Sequence, residues 1–398
     1  MDYNYSPDFF QWIDTHAGDD PARLRLKYGR DRAAEILQIE CRRKYADKLG
    51  KALEADPQFI FPTALSGEQS TSCRLARFHT SMLQSGWRVA DLTAGLGIDA
   101  MAMARHAGTQ GYVVAVERDE AVADALRHNA RNIDNLEVAC EDCRTLLDVW
   151  AREGMRFDCM FIDPARRDSA GGRVYALDHC EPDVIDMLPL LRTVTKRLII
   201  KASPMLDIAH TLSLLPEAVK VIVLGTPTEC KELDVECEFG LATYHEPSIE
   251  AVTLGRDVDS HFTFTRSEEA AAPVSYGIPA SGDYILDPYP AVMKAAPFRL
   301  LAARYGLRKP SANTQLWYGH TMPDAFPGRA YEVEEVLPYM SKHIKRYASR
   351  YPRVSVTTRN FDISADALRG KLGVKDGPRR LFAISGNDNN KYLITCKE

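Results

Sequence analysis

The sequence lacks any long apolar run. No stretch reaches the roughly 18 consecutive apolar residues that a membrane helix needs, so no membrane span is expected. The N-terminus is MDYNYSPDFFQW, which has no basic start followed by an apolar segment, so no secretory signal is expected. Internal repeats and low-complexity tracts are also missing. These absences predict a soluble, globular protein of the cytoplasm.

Cysteine is too scattered for a disulfide framework. The chain has nine cysteines, an odd number, which favours reduced thiols. Cys140 and Cys143 have the Cys-x-x-Cys spacing of half a zinc site, but no second Cys or His pair with the usual spacing accompanies them. We therefore predict structural thiols and no metal site. The G-x-S-x-G and Walker patterns are missing as well, which argues against serine-hydrolase and P-loop chemistry.

Charge is distributed unevenly along the chain, although its net value is only −5. Residues 290–398 carry 19 Lys and Arg against 9 Asp and Glu, whereas residues 1–289 carry 31 against 46. A basic segment of this kind is typical of proteins that bind a polyanion. We predict that the C-terminal region binds RNA, and a merely solvated basic surface is the alternative. Arg359, Arg379 and Arg380 are the predicted phosphate contacts, because a guanidinium matches phosphate geometry.

Length and pattern predict an α/β protein of roughly two to four domains. Residues 6–55 are predicted to be helical, and Ser6-Pro7-Asp8 provides a capping side chain, a first-turn proline and an acid at the start. From Arg88 onward, short apolar runs alternate with helical segments, which predicts a doubly wound parallel sheet covered on both faces. The predicted strands are 89–92, 112–116, 136–139, 159–162, 198–200 and 219–224, with 251–254 and 261–265 as candidate last strands.

A segment rich in Pro and Gly, residues 266–290, predicts a domain boundary. Beyond it, 291–305 is predicted to be a helix interrupted at Pro297. Further on, the pattern predicts a small α+β region whose strands are 331–336, 354–358, 381–384 and 392–395 and whose helices are 338–349 and 364–372.

A glycine-rich turn follows the first predicted strand. The strand ends at Asp91, the turn contains Thr93, Gly95 and Gly97, and a helix starts near Ile98. The same glycines, with the alanine three residues after Gly97, also satisfy the dinucleotide pattern G-x-G-x-x-A, so a nicotinamide cofactor is the alternative. An acid four residues before the first glycine favours a ligand with positive charge, such as the sulfonium and ammonium of S-adenosylmethionine.

Two more carboxylates follow the next two strands. Glu117 lies 20 residues after Gly97, where a carboxylate accepts ribose hydroxyls. Asp142 follows the third strand and can accept a hydrogen bond from the adenine amino group. Each acid alone could be a helix cap or a surface charge. Acids at three successive strand ends, together with Asp91, predict an S-adenosylmethionine site.

The fourth strand ends in Asp163-Pro164, followed by Ala165 and Arg166. This pair resembles the Asp-Pro-Pro-aromatic motif of amino-methyltransferases, but the last two places differ. We predict that Asp163 binds cofactor and, with the carbonyl of Pro164, accepts hydrogen bonds from a target amine. Arg166 would contact a phosphate or stack on the base. Lys201 ends the fifth strand. We predict that it pairs with Asp163 or contacts an anion, and a catalytic base is the alternative.

Several sequence pieces together resemble bacterial methyltransferases with a C-terminal THUMP-like domain, which are distantly similar to the trimethylguanosine-synthase group. The pieces are Leu65–Thr71, Asp91–Asp99, Asp163–Asp168, Lys201–Asp207, Glu229–Leu233 and Thr357–Phe361. The resemblance implies a Rossmann-like S-adenosylmethionine methyltransferase sheet between an N-terminal helical domain and a C-terminal α+β region. It implies the domain order 1–65 helical, 66–265 methyltransferase, 280–326 ferredoxin-like and 327–398 THUMP-like.

The residues and the resemblance lead to one functional hypothesis. The chain is predicted to be an S-adenosylmethionine-dependent methyltransferase that acts on an RNA base nitrogen. The alternatives are methylation of a ribose hydroxyl, a protein or a small molecule, and a non-catalytic protein that binds the cofactor or RNA. The sequence predicts no oligomeric state.

Overall fold

The computed structural model describes residues 5–166, 177, 180–243, 245–388 and 390–397, with the side chain of Arg166 excepted. The chain divides into two compact units. The first unit is residues 1–202, 209–218 and 235–243, and the second unit is residues 203–208, 219–234 and 244–398. No helix in the described part of the chain has the length and apolar character that a membrane span needs.

The strands lie where the apolar runs predict them, with additions. In chain order they are β1 (Arg88–Asp91), β2 (Tyr112–Glu117), β3 (Leu136–Cys140), β4 (Phe157–Ile162), β5 (Ala165–Arg166), β6 (Cys180–Glu181), β7 (Thr195–Ala202), β8 (Ala218–Gly225), β9 (Cys230–Glu238), β10 (Ser248–Thr253), β11 (Ser260–Thr265), β12 (Ser275–Tyr276), β13 (Tyr284–Pro288), β14 (Arg308–Lys309), β15 (Trp317–Gly319), β16 (Gly328–Pro338), β17 (Arg353–Arg359), β18 (Lys375–Ser385) and β19 (Lys391–Cys396).

The helices follow the same alternation. They are α1 (Pro7–His16), α2 (Pro21–Tyr28), α3 (Ala33–Lys44), α4 (Ala46–Ala55), α5 (Ala64–Gln69), α6 (Cys73–Thr80), α7 (Ile98–Ala107), α8 (Glu120–Asn129), α9 (Cys143–Glu153), α10 (Val184–Val194), α11 (Ile208–Leu214), α12 (Arg266–Ala271), α13 (Pro290–Ala295), α14 (Phe298–Arg304), α15 (Ser341–Arg350) and α16 (Ala365–Leu372).

A parallel sheet forms the centre of the first unit. Five neighbouring strands of this sheet lie in the order β7-β4-β1-β2-β3, and each neighbouring pair of these five is parallel. The strand order reverses between β1 and β4, so their carboxyl ends form the switch point at which doubly wound sheets bind ligands. The apolar residues of β1 and β2 are buried, as expected for strands covered by helices. The prediction of a doubly wound α/β fold is confirmed.

The N-terminal helices belong to the first unit and pack on its sheet-covering helices. Ser6 caps α1 as predicted, because its Oγ accepts the Phe9 N–H at 3.3 Å. The apolar stripe of α3 lies in one buried cluster with Ala125 of α8, through Ile36 and Ile39. This apolar stripe therefore supports the helix that follows β2.

The second unit contains a mixed sheet that the sequence predicts only in part. Its strands lie in the order β12-β14-β15-β13-β16-β19-β18-β17. The predicted strands β16 to β19 and helices α15 and α16 are present, and the helix from 291 breaks at Pro297 into α13 and α14 as expected. The sequence predicts neither β9 nor β12 to β15. These last four are two to five residues long, too short for a strand period to stand out.

Candidate functional site

The loop between β1 and α7 is held by its neighbours on both sides. The Leu92 N–H donates to the Phe161 carbonyl oxygen of β4 at 2.8 Å, and the Ala94 N–H donates to the Val116 carbonyl oxygen of β2 at 2.9 Å. These bonds fix the loop at the carboxyl ends of three parallel strands. A ligand bound there would meet preorganised backbone.

Two glycines of this loop have left-handed backbones for different reasons. Gly95 has φ 54° and Gly97 has φ 74°. A Cβ built on Gly97 would lie 2.0 Å from Cδ1 of Leu126, so only glycine lets the loop pack against α8. A Cβ on Gly95 would have no heavy atom within 4 Å. The loop therefore leaves open space at Gly95, where a ligand can approach the backbone.

Asp91 lies at the end of β1 and is almost wholly buried. Its side chain is 1% exposed, and Oδ1 accepts the Thr93 N–H at 3.2 Å. Burial raises the pKa of Asp91 to about 8, and the nearby carboxylate of Asp99 adds to the rise. Lys201 opposes the shift without cancelling it. A buried acid held largely neutral in this way gains its charge when a cationic ligand comes close.

Glu117 and Asp142 lie at the carboxyl ends of β2 and β3, as predicted. Glu117 accepts the Gly95 N–H at 3.0 Å and the Asp119 N–H at 2.8 Å, so its carboxylate lies directly against the glycine-rich loop. Asp142 caps α9 by accepting the Arg144 N–H at 2.8 Å. Helix capping was the alternative prediction for Asp142. Its carboxylate has further lone pairs that can accept hydrogen bonds from a ligand. Their roles toward a cofactor stay predictions.

Asp163 joins the glycine-rich loop to the end of β4. Its N–H donates to Thr93 Oγ1 at 2.7 Å, and the Pro164 that follows is buried. Lys201 donates from Nζ to Asp163 Oδ2 and to Thr71 Oγ1, the second at 3.0 Å. The Lys201 side chain is 11% exposed and that of Asp163 38%. The pairing of Lys201 with Asp163, one of the three predictions for this lysine, is present.

Arg166 ends the short strand β5, which pairs antiparallel with β6. Its side chain and residues 167–176 lie outside the described part of the chain. The predicted contact of Arg166 with a phosphate or base therefore stays a prediction.

Sequence reasoning assigned no role to a buried polar cluster beside Lys201. Thr71 precedes α6 and donates from its hydroxyl to Asp99 Oδ2, and the Nδ1 atom of His79 lies 2.7 Å from Asp99 Oδ1. All three residues are buried, and His79 is 0% exposed. Thr71 closes the piece that resembles the family and Asp99 lies in the first turn of α7, but neither position distinguishes a functional residue from a helix-end residue.

Comparisons with known proteins agree with the prediction of a methyltransferase that carries a C-terminal THUMP-like domain. A family model described as a ferredoxin-like domain matches residues 284–327, and one described as THUMP domain-like matches residues 328–398. An uncharacterized S-adenosylmethionine-dependent methyltransferase of Mycobacterium tuberculosis is 25% identical over 375 residues, which cover 91% of this chain and 94% of that one.

Two further likenesses differ in extent. A crystal structure of a protein described as a methyltransferase, from Porphyromonas gingivalis W83, matches with a TM-score of 0.89 and 29% identity, covering 100% of this chain and 99% of that one. A 23S rRNA (uracil(1939)-C(5))-methyltransferase of Psychrobacter arcticus is 41% identical over 88 residues, 21% of this chain and 17% of that protein. The first likeness extends over the whole fold and the second over a short segment.

The described site suits S-adenosylmethionine on chemical grounds. The cofactor carries a sulfonium and an ammonium, for which the buried Asp91 would be a suitable counter-ion, and the open space at Gly95 would let it approach the loop. Its ribose hydroxyls suit a carboxylate such as Glu117. These features and the likenesses agree on an S-adenosylmethionine-dependent methyltransferase with a C-terminal THUMP-like domain.

Proposed function

We propose that the chain transfers the methyl group of S-adenosylmethionine to an amino nitrogen of an RNA base. The observation that carries this proposal is the position of Asp163. Its backbone is tied to Thr93 of the glycine-rich loop, and its side chain is partly exposed at the end of β4. A substrate group that Asp163 binds would therefore lie beside the cofactor loop.

The bound cofactor supplies an electrophilic methyl group on sulfur. The protein must align an acceptor lone pair with that methyl group, and the lone pair of an exocyclic amine is delocalised into its base. Asp163 and the Pro164 carbonyl oxygen would accept the two N–H bonds and hold the nitrogen in a shape that frees the lone pair. Both acceptors would also stabilise the positive charge that develops on nitrogen. The fixed φ of Pro164 keeps this loop stiff.

RNA is the proposed partner because the C-terminal region is basic and because parts of the chain resemble known proteins. The basic balance of residues 290–398, the THUMP domain-like match and the short likeness to an enzyme of 23S rRNA all support it. The three arginines that the sequence suggested for phosphate contacts have internal partners. Arg359 bonds to Asp287 at 3.3 Å, Arg379 to Glu334 at 3.0 Å and Arg380 to the Ser355 hydroxyl at 3.1 Å.

Helix α15 offers a better surface for phosphate. Its apolar face, with Ile344 and Tyr347, packs in the core of the C-terminal module. Lys342, Lys345 and Arg346 lie three and four residues apart, so they share the opposite face, and all three are exposed. We call these three residues the α15 basic face and propose it as the main RNA-backbone contact.

The contact between Lys201 and Asp163 favours a second candidate, methylation of a ribose hydroxyl. A hydroxyl needs a base rather than help with a delocalised lone pair. Lys201 lies beside Asp163 in a mostly buried position, where it could remove the hydroxyl proton while Asp163 holds its ammonium form afterwards.

The test is transfer of tritium-labelled methyl groups from S-adenosylmethionine to total RNA, protein and metabolite fractions, followed by digestion of the labelled fraction to nucleosides. Amine methylation should collapse in Asp163→Ala and largely survive Lys201→Met, whereas hydroxyl methylation should need both residues. Asp158→Ala is a matched control, because Asp158 lies on the same strand and its carboxylate bonds only to the Arg88 N–H among the contacts described.

Each outcome decides between the candidates. Labelled base nitrogen supports the proposal, and labelled ribose supports the second candidate. Label in protein or metabolites alone would overturn the RNA assignment. Near-normal turnover in Asp163→Ala on the labelled substrate would show that the Asp-Pro segment is not the reaction centre.

A further inference from the structure

A chain of hydrogen bonds runs from Lys201 into the helices that precede the sheet. Lys201 Nζ donates to Thr71 Oγ1 at 3.0 Å, and the Thr71 hydroxyl donates to Asp99 Oδ2. The other Asp99 oxygen lies 2.7 Å from His79 Nδ1. Lys201 also donates to Asp163, so this series of hydrogen bonds ends at the proposed reaction centre. All of these residues belong to the first unit.

Lys201 and Asp99, on either side of Thr71, determine which atom donates in each hydrogen bond of the Thr71 hydroxyl. Burial alone would raise the pKa of Asp99, but the His79 ring, Lys201 and the Thr71 hydroxyl hold it below its ordinary value, so Asp99 is an ionised carboxylate that only accepts. A lysine ammonium only donates. Thr71 must therefore donate to Asp99 and turn a lone pair toward Lys201.

The backbone around Thr71 is fixed as well. The next residue, Ser72, caps α6 by accepting the Leu75 N–H at 3.2 Å, and the preceding Ser70 hydroxyl donates to the Gly67 carbonyl oxygen at 2.9 Å. Thr71 itself is 8% exposed. Its hydroxyl is consequently held in one place by its neighbours and in one orientation by Asp99.

We propose that Thr71 is a positioning residue that holds Lys201 against Asp163, with Asp99 and His79 fixing the orientation of its hydroxyl. The role rests on the proposed reaction at Asp163, and its effect on the rate is only as large as the use which that reaction makes of Lys201. A lysine side chain has many rotamers, and ordering it costs free energy unless its ammonium is anchored. Thr71 provides that anchor from the segment between α5 and α6, outside the central sheet.

The test compares Thr71→Val, which keeps the shape but removes the hydroxyl, with Thr71→Ser, which keeps the hydroxyl. Thr195→Val is the matched control, because Thr195 is also a buried threonine that lies at the opposite end of β7 from Lys201 and donates to the Phe157 carbonyl oxygen. The full chain is assayed for methyl transfer on whichever fraction the wild type labels. S-adenosylhomocysteine affinity and melting temperature are measured alongside.

If ribose is labelled, the expected result is a fall in kcat of at least about tenfold in Thr71→Val, the usual consequence of losing a hydrogen bond to a charged group. If a base nitrogen is labelled, Thr71→Val should keep most of the rate, as Lys201→Met does, and the resonance of Lys201 decides the test. The KM for S-adenosylmethionine and the affinity for S-adenosylhomocysteine should change little, Thr71→Ser should recover most of the rate, and Thr195→Val should retain it. A normal kcat in Thr71→Val with labelled ribose would overturn the positioning role, and so would a larger loss of rate in Thr71→Val than in Lys201→Met with a labelled base nitrogen. If only the protein or metabolite fraction is labelled, the RNA assignment is wrong. The positioning role is not affected by that result, because the Thr71 variants are still compared on the labelled fraction.

A second readout does not depend on activity. In protein with isotope-labelled lysine Cε atoms, the nuclear magnetic resonance signal of Lys201 is identified by its loss in Lys201→Met. If Thr71 anchors Lys201, this signal should be narrow and separate from the signals of exposed lysines in the wild type and in Thr71→Ser. In Thr71→Val it should move toward the signals of the exposed lysines. A signal that is the same in the wild type and in Thr71→Val would refute the proposal even if no methyl transfer were detected.

Discussion

Binding of S-adenosylmethionine should be strongly pH-dependent because of Asp91. In the ligand-free protein, burial and the Asp99 carboxylate raise the pKa of Asp91 to about 8. The groups that face it are Asp99, Asp163 and Lys201. A ligand with a sulfonium and an ammonium favours the ionised carboxylate, so the cofactor binds best when Asp91 has lost its proton. Affinity should therefore increase as the pH rises toward 8 and level off above it.

The magnitude follows from the ionised fraction. With a pKa of about 8, Asp91 is about 1% ionised at pH 6 and about half ionised at pH 8. If the cofactor binds only the ionised form, its apparent affinity should increase by about fiftyfold over this range. Binding at pH 7 should release about 0.9 proton, because that fraction of Asp91 is protonated beforehand.

Isothermal calorimetry measures both quantities. Titrations with S-adenosylmethionine at pH 6, 7 and 8 give the affinity, and repetition in buffers of different ionisation enthalpy gives the number of protons released. Asp91→Asn removes the titrating group and should give weaker binding at pH 8 with no pH dependence from this site. Asp283→Asn is a matched control, because Asp283 is also buried but belongs to the second unit.

Two results would refute the reasoning. Wild-type affinity that is flat from pH 6 to 8 with no proton release would mean that Asp91 does not ionise on binding. A pH dependence that persists unchanged in Asp91→Asn would mean that another group is responsible.

Two further predictions concern the cofactor carboxylate and the RNA surface. Glu117→Ala should weaken S-adenosylhomocysteine binding by about 1–3 kcal/mol in calorimetry, because the Gly95 N–H and the ligand hydroxyls lose an acceptor; unchanged affinity would contradict the ribose assignment. Replacing the α15 basic face with alanine should lower the slope of log affinity for RNA against log salt by about 0.7 per lost phosphate contact in filter binding. Alanine at the exposed Arg23, Lys51 and Arg152 of the first unit should leave the slope unchanged.

The strand ends of the central sheet could be predicted because several signals coincide there. An apolar run followed by an acid or by Asp-Pro places Asp91, Glu117 and Asp163 without any knowledge of long-range contacts. Since parallel strands end at one edge of the sheet, Lys201 of β7 was expected near Asp163 of β4, and β4 and β7 are indeed paired neighbours. Local pattern and the rules of parallel sheets together were sufficient for this part of the site.

Strand β9 shows where the pattern failed. Its apolar residues Leu233 and Val235 alternate with Glu232 and Asp234, but charged residues on one face of a strand usually indicate a face in water. In the structure these four side chains are all buried. Whether an acid is buried depends on partners that are distant in sequence, so the alternation alone could not distinguish this strand from a charged loop.

The Thr71 cluster could not be predicted for a related reason. Thr71 and Lys201 are 130 residues apart, and Thr71 and Asp99 are 28 apart. Each of these residues has an ordinary local explanation near a helix end or strand end. The packing of α6 against α7 brings the Thr71 hydroxyl near the Asp99 carboxylate, and Lys201 reaches the same hydroxyl from β7.

The division of the chain has a consequence for how the protein is made. The chain changes unit after residues 202, 208, 218, 234 and 243, so the unit that begins at the N-terminus is complete only when residue 243 has been synthesised. Domains generally fold as they leave the ribosome, N-terminal part first. Here the first unit must wait for the second part of β9, by which time two segments of the other unit have already been synthesised. A premature stop or a proteolytic cut between residues 203 and 243 would thus leave both units incomplete.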